Sequence, residues 1–356
     1  MEEIIPRKYC IFIISYKRAD FCRRNTFRIL NSFNHKAPVF IVCSDDDPTL
    51  EEYYRIYGKD NVIVFSKMDI QKRYRIDLSD CYHGKSNKWI STVWVRTAQF
   101  EIARQKGFEY FLTLDDDYLL FGTKIIIEDN GKKKLREINN PFRFIDFDVV
   151  SEYMFRILDS QKFMSCVSFA QNGDFMGGIS HNFIQTYKFK AMNFIYGTTK
   201  KMFRYIGRMN EDVNKYLVDN NIGKLSMMLT DISLKQVNTQ KTSGGMTDIY
   251  KNFGTYMKSF YSVIHNPSAV KINALGGTSE TYRIHHIINY DRSVPKILNE
   301  RYCKNENHNQ DEYIDYLEME NNVVKENRNC DIKDYSFDEL TQISYISEND
   351  NVEELF

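Results

Sequence analysis

Tyr110-Phe111-Leu112-Thr113-Leu114-Asp115-Asp116-Asp117 is the stretch on which the reading of this chain turns. Tyr110 to Leu114 is a mostly apolar stretch with no helical period, which predicts a strand. Three carboxylates follow it directly. In open parallel sheets ligands bind beyond the carboxyl ends of the strands, where this triplet would stand. Adjacent carboxylates repel one another, so a cation makes the cluster favourable. Mg²⁺ or Mn²⁺ takes hard oxygen ligands and leaves positions free for phosphate oxygens. A metal so placed neutralises the charge that grows on a departing diphosphate. The plainer alternative is a solvated turn, because Asp is common in loops.

Outward from the triplet the pattern alternates between strand and helix. Upstream, Trp89 to Lys106 reads as a helix with Val95, Ala98 and Ile102 on one face, ended by Gly107. Tyr9 to Ser15 is a first buried strand, followed by a helix from Asp20 to about Phe33. Val39 to Cys43 is a second strand and Val62 to Phe65 a third. Between them Asp45-Asp46-Asp47-Pro48 either caps a helix running to about Tyr57 or contributes a carboxylate to a ribose or base. Such alternation implies a parallel sheet flanked by helices. Downstream, Asp129-Asn130-Gly131 sits between two strand-like runs, Lys124 to Ile127 and Lys132 to Ile138, and reads as a hairpin turn. A helix is expected near Phe147 to Leu158, a strand at Phe163 to Phe169, a helix at Asn210 to Asn220, and strands at Lys224 to Ser233 and Ala269 to Leu275. Gly177-Gly178 and Gly244-Gly245 are turn punctuation, the second with Lys241, Thr242 and Ser243 as a candidate lid. We expect one catalytic domain over 1–301, with a nucleotide half at about 1–120 and an acceptor half at about 140–301.

The formal charge of zero conceals an asymmetry. Residues 302–356 hold 4 Lys+Arg and 15 Asp+Glu, which leaves a net of +11 on residues 1–301. A basic body suits anionic ligands, whether nucleotide diphosphates or nucleic acid. The acidic stretch reads as a C-terminal extension outside the catalytic domain. Seven Cys without a CxxC pair point to reduced thiols, hence to a cytoplasmic or nuclear setting. No signal-like or membrane-spanning run is visible, so no membrane partner is expected. The absence of GxxxxGK[ST] speaks against a nucleotide-hydrolysing motor.

Taken together, this layout resembles the GT-A class of glycosyltransferases, α/β proteins with a Rossmann-like core and a DxD-type motif after the fourth strand. More narrowly it resembles the TET/JBP-associated glycosyltransferases, a viral and eukaryotic group tied to sugar addition on hydroxymethylated pyrimidines in DNA. The stretches that carry the resemblance are Ser15-Tyr16-Lys17-Arg18, the triple Asp, Asn210-Glu211-Asp212, and Ser262-Val263-Ile264-His265-Asn266-Pro267-Ser268. It spans about residues 9–290. The resemblance implies a metal-dependent transferase moving a sugar from a uridine diphosphate sugar to a hydroxyl, with Mn²⁺ or Mg²⁺ as cofactor and DNA as acceptor. Host cytoplasm is the implied location if the source is viral.

Residue by residue, the resemblance implies that Tyr16 stacks on the base and Arg18 meets phosphate, since a guanidinium matches phosphate oxygens bidentately. Asp45, Asp46, Arg96, Asp115 and Asp116 join the nucleotide-sugar site. Asp117, Asp115 and a late His265 form the metal shell. Asp212 is the implied general base, with Glu211 second. An acceptor hydroxyl is a poor nucleophile until a carboxylate takes its proton. The same Asn-Glu-Asp would also suit a helix's first turn. Three rival readings stand: a nucleotidyltransferase, which would carry a glycine-rich loop where Ser15-Tyr16-Lys17-Arg18 has no glycine; a glycosyltransferase with a protein or glycan acceptor; and a non-catalytic nucleic-acid-binding protein of similar fold.

Overall fold

The computed structural model describes residues 6–79, 89–143, 145–171, 187–237, 246–247, 249–250, 254, 256–275 and 283–293. The chain divides into a main unit, Met1–Lys67 with Asp77–Ile297, and a second unit, Met68–Ile76 with Leu298–Phe356. The lid expected at residues 241–245, the pair Gly177-Gly178 and the acidic stretch 302–356 lie outside the described residues.

The main unit is built on one sheet. Its order is β3 (Val62–Phe65), β2 (Val39–Ser44), β1 (Tyr9–Ile14), β4 (Tyr110–Asp115), β9 (Ile195–Thr198), β7 (Met164–Gln171), β10 (Leu225–Gln236), β5 (Tyr118–Asp129) and β6 (Lys132–Asn139). β8 (Tyr187–Lys188) pairs on β10. The first four strands are parallel, as the alternating pattern predicts. β9 turns antiparallel against β4, and β5 runs antiparallel to β10. β1 is buried at all six positions and reads as an unbroken apolar run, the mark of a central strand covered on both faces. Its register with β4 sets Ile14 beside Asp115. The tips of both strands therefore open at the same edge.

The hairpin β5–β6 turns at Asn130-Gly131, both with positive φ, 51° and 71°. That is the twist a two-residue turn needs between right-handed strands. The first helix departs from the expected regularity. It is α-helical over Ala19–Cys22, π-helical over Arg23–Phe27 and α-helical again over Arg28–Leu30. A second pair, β11 (Val270–Leu275) and β12 (Arg283–Ile288), forms a separate two-stranded sheet. The aromatic load packs the core. Phe33, Phe121, Phe142, Phe147, Phe169, Phe194 and Tyr196 are buried and meet largely edge to face. Such pairs add about 0.5–1.5 kcal/mol each beyond the area they bury. Cys10, Cys22, Cys43 and Cys166 are buried free thiols. Among the described residues no helix is long and apolar enough to cross a membrane.

Candidate active site

A cleft of about 320 Å³ opens at the carboxyl ends of β1 to β4. Ser15, Tyr16 and Arg18 line it from the β1 loop, Ser44 from β2, and Lys67 from beyond β3. Asp115 and Asp117 come from the tip of β4, and Arg96 from the helix Val93–Gln105. The opposite wall is Asn210, Glu211 and Asp212, at the start of the helix Glu211–Asn221, with Gln171, Asn193, Gln236 and Lys258. The triple Asp and Asn210-Glu211-Asp212, 95 positions apart at Asp117 and Asp212, thus face one cavity.

The three adjacent carboxylates have three different environments. Asp115 is held on both oxygens, by Arg96 Nη2 at 3.0 Å and Asn193 Nδ2 at 2.6 Å. Asp116 turns away from the cleft and is fully buried. Ser15 Oγ donates to it at 2.6 Å, and Arg18 clamps it through Nε at 3.1 Å and Nη2 at 2.6 Å. Burial pushes Asp116 up to about 6, against the pull of Arg18 and Ser15. Asp117 lines the cleft and takes one neutral bond, from Gln236 Nε2 at 3.0 Å. Burial, then the charges of Asp115 and Asp116, push its carboxyl up to about 7. Among the described residues no cation pairs with Asp117, while its two neighbours each have an arginine.

This geometry corrects several expectations. Asp116 is not among the residues of the cleft, because Ser15 and Arg18 hold its side chain to the protein side of the turn. Arg18, expected on phosphate, applies its bidentate fork to Asp116. Asp45 and Asp46 do not line the cleft. Asp46 takes Ser44 Oγ at 2.6 Å and pairs with Lys67 Nζ at 2.9 Å, so Lys67 stands at the cavity in its place. Asp47 secures the loops, accepting from Lys17 N at 2.7 Å and from Thr49 N at 2.8 Å. His265 is not among the residues of the cleft. Its Nε2 lies 3.2 Å from Ser79 Oγ, and burial lowers its basicity. Among the described residues no three His, Cys, Asp or Glu side chains gather closely enough to hold a metal.

Arg96 is not on the helix surface: it lines the cleft with two of its three nitrogens committed to carboxylates. It is 2% exposed and bridges the two motifs, donating from Nε to Glu211 Oε1 at 2.9 Å as well as to Asp115. Its Nη1 has no partner among the described residues. Glu211, the second choice for general base, is thereby tied. Asp212 keeps a carboxylate in the cleft and accepts from the following backbone N–H, that of Val213, at 2.8 Å. Burial, then Glu211, push it up to about 6. Glu211 and Asp212 do occupy the helix's first turn, but Asn210 at its head makes no side-chain cap. Asn210 adopts a left-handed conformation, φ 61°, and gives its amide to Ser262 Oγ at 2.6 Å instead of capping. Ser262 in turn donates to Asn214 Oδ1 at 2.9 Å, so the Ser262–Ser268 motif supports the Asp212 helix through Ser262 and not through His265.

Sequence reasoning missed Lys67, Gln236, Asn193 and Thr26. Thr26 is 1% exposed within the π turn. Its Oγ1 donates to Asp115 O at 2.7 Å and accepts from Tyr118 N at 2.9 Å, closing the acidic turn from behind. One signal was available. Cys22, Thr26 and Ile29 share the apolar stripe of the helix, and a hydroxyl in a core stripe needs a partner. Gln236 and Asn193 arrive from distant strands with no local signature.

A parallel set of strands whose fourth member ends in an acidic turn, joined to a mixed set that supplies a second carboxylate segment, is the layout expected of the GT-A class. The chain belongs to the TET-Associated Glycosyltransferase family, whose model matches residues 9–245. Among curated proteins no sequence matches it. Similar solved structures include S. aureus TarS 1-349 in complex with UDP-GlcNAc. It is 13% identical, with 73% of this chain and 66% of that one covered at a TM-score of 0.37. Another is glucosyl-3-phosphoglycerate synthase from Mycobacterium tuberculosis in complex with Mn²⁺, UDP and glucosyl-3-phosphoglycerate. It is 9% identical, with 82% and 89% covered at a TM-score of 0.36. Mannosyl-3-phosphoglycerate synthase from Rubrobacter xylanophilus is 12% identical, with 79% and 86% covered at 0.35.

Proposed function

We propose that this glycosyltransferase moves a sugar from a uridine diphosphate sugar to the hydroxyl of a hydroxymethylated pyrimidine in DNA. The observation that carries the donor half is the asymmetry of the acidic turn. Arg18 pairs with Asp116 and Arg96 with Asp115, and the third carboxyl, Asp117, faces the cleft without a paired cation among the described residues, raised to about 7 by burial and its neighbours, so that a bound cation would favour its ionised form. Such a group fits a divalent ion whose remaining positions go to phosphate oxygens and water. The fit centres on Asp117, with Asp115 beside it in the cleft bonded once on each oxygen, and leaves out His265, which lies elsewhere. Bound there, Mn²⁺ or Mg²⁺ would neutralise the charge of a departing diphosphate.

The chain's own groups supply the rest of the chemistry. Tyr16, Phe65 and Lys67 form the end of the cleft nearest β1 to β3 and take the nucleoside. Lys67 is only 7% exposed and its ammonium lies 4.5 Å from the centre of the Tyr16 ring, which fixes that wall. Arg96 Nη1, a buried donor without a partner among the described residues, is available to a donor oxygen. Asp212 takes the acceptor's proton as the acceptor oxygen bonds to the anomeric carbon. The bond from that carbon to the diphosphate breaks, and the electron pair leaves with the phosphate. Displacement assisted by such a base inverts the anomeric centre. A carboxyl raised to about 6 is ionised at neutral pH yet basic enough to accept a proton.

The DNA acceptor is supported by the family's TET association and by the net +11 on residues 1–301, which favours a polyanion. A thermal-shift screen of nucleotide sugars with and without Mn²⁺, on the wild type and on Asp117→Ala, tests the donor. A ligand that binds the folded chain raises its midpoint by mass action. We expect a metal-dependent shift with a uridine diphosphate sugar that Asp117→Ala loses. No shift with any sugar nucleotide overturns the reading. Transfer of labelled sugar to hydroxymethylated but not unmodified DNA tests the acceptor.

A further inference from the structure

The acidic turn is a two-residue reversal, Asp116-Asp117, between strands that are not neighbours in the sheet. Its flanking backbone groups, Asp115 C=O and Tyr118 N–H, therefore cannot close on each other through a hairpin ladder. Both are bound by one buried side-chain oxygen, Thr26 Oγ1, at 2.7 and 2.9 Å. Thr26 stands in the five-residue π segment Arg23–Phe27. A π segment inserts one residue into a helical path and rotates the residues after it, and such bulges are enriched at functional sites. Here the helix carries Arg18 just before its start and Thr26 within it, so both fixings of the turn come from one element. Arg18 and Ser15 hold Asp116 inward, and Thr26 holds the backbone on either side.

We infer that Thr26 is the positioning residue of the diphosphate site: it fixes the turn so that Asp116 stays inward while Asp117, one residue on, stays in the cleft. This rests on the proposal that a nucleotide diphosphate binds there. Thr26 touches no substrate. It acts by setting where the Asp117 carboxylate lies, and that carboxylate is coupled to its neighbours by repulsion. Without the bridge, the turn can relieve that repulsion by rotating Asp117 away from the site. A hydroxyl is required because the position must accept one bond and donate another, which only Ser or Thr does in so small a volume.

The test uses the full-length chain and isothermal titration with uridine diphosphate, with and without Mn²⁺, and with uridine alone. Thr26→Val keeps the shape and removes both bonds, while Thr26→Ser keeps the hydroxyl. We expect Thr26→Val to bind uridine diphosphate with Mn²⁺ about tenfold to a hundredfold more weakly, the loss expected from one or two misplaced contacts. Uridine affinity, set at the Tyr16 end, stays at the wild-type value, and Thr26→Ser binds both ligands as the wild type does. A merely structural threonine would lower the melting temperature without separating the two ligands, and equal affinities for Thr26→Val and wild type overturn the inference. If Thr26→Val does not fold, Thr26→Ala against Thr26→Ser gives the same contrast, and equal binding by those two overturns it. Failure of the wild type itself to bind uridine diphosphate with Mn²⁺ removes the donor reading and this inference together, so the two failures are distinguished by which protein fails.

Discussion

Replacing Arg96 by methionine probes the joint between the two halves of the site. The guanidinium is 2% exposed and serves two carboxylates, Glu211 at 2.9 Å and Asp115 at 3.0 Å. Methionine fills a similar volume, so little of the effect comes from a cavity. Removing one partner of a buried ion pair costs about 3–5 kcal/mol, because the other charge is left unpaired. Two pairs share one cation here, and their contributions do not simply add. Asp115 retains the Asn193 amide and has a side chain 21% exposed, so the larger share falls on Glu211, whose side chain is 9% exposed. We therefore expect Arg96→Met to destabilise the chain by about 3–5 kcal/mol. For a protein larger than 150–250 residues that is a fall in melting temperature of roughly 5–10 °C. Denaturant titration monitored by tryptophan fluorescence measures it directly. Adding Glu211→Gln to Arg96→Met should recover part of the loss, since it removes the stranded charge. Arg96→Lys should not rescue, because one ammonium cannot span both acceptors. An Arg96→Met chain with the wild-type midpoint and slope would refute the bridge.

The same geometry sets other outcomes. Asp212→Asn should lower turnover by about 10²–10⁴-fold while donor affinity is kept, measured by transfer of labelled sugar. In the wild type, turnover should fall as pH drops through about 6, since Asp212 must be ionised to take the proton. Its folded value lies above the ordinary 3.8, so the folded chain keeps a proton that the unfolded chain releases. The resulting penalty on stability is absent below about pH 4, grows between 4 and 6, and is complete above 6. Asp212→Asn should therefore gain stability over wild type at about pH 8 and not at about pH 4, which chemical denaturation at the two pH values decides. Gly207→Ala should destabilise strongly, because φ is +80° and an added Cβ would strike the Asn214 side-chain amide. A wild-type melting temperature there would contradict that account. The same substitution should lower transfer, as Asn214 bonds Ile206 O and Met209 O beneath the Asp212 helix.

The parallel half and the place of the acidic turn are written in the sequence alone. A central strand covered on both faces carries few polar positions, so Tyr9 to Ile14 and, with Thr113 as its one polar residue, Tyr110 to Leu114 announce themselves as apolar runs. Asn130-Gly131 is similarly local, because the sign of φ that a two-residue turn needs is encoded in those two residue types. The presence of a second carboxylate segment at Asn210-Glu211-Asp212 was also legible. Which carboxylate does what is a matter of tertiary structure. Asp115, Asp116 and Asp117 are chemically identical in the sequence. They differ because Arg96, Arg18 and Gln236 reach them from positions up to 119 residues away. His265 was misplaced for the same reason: a residue type suited to a metal says nothing about which cavity its helix will face. Charge pairing across elements depends on distances that no local pattern encodes, and in this cleft those distances separate the acids paired with arginines from Asp117, which has no paired cation among the described residues.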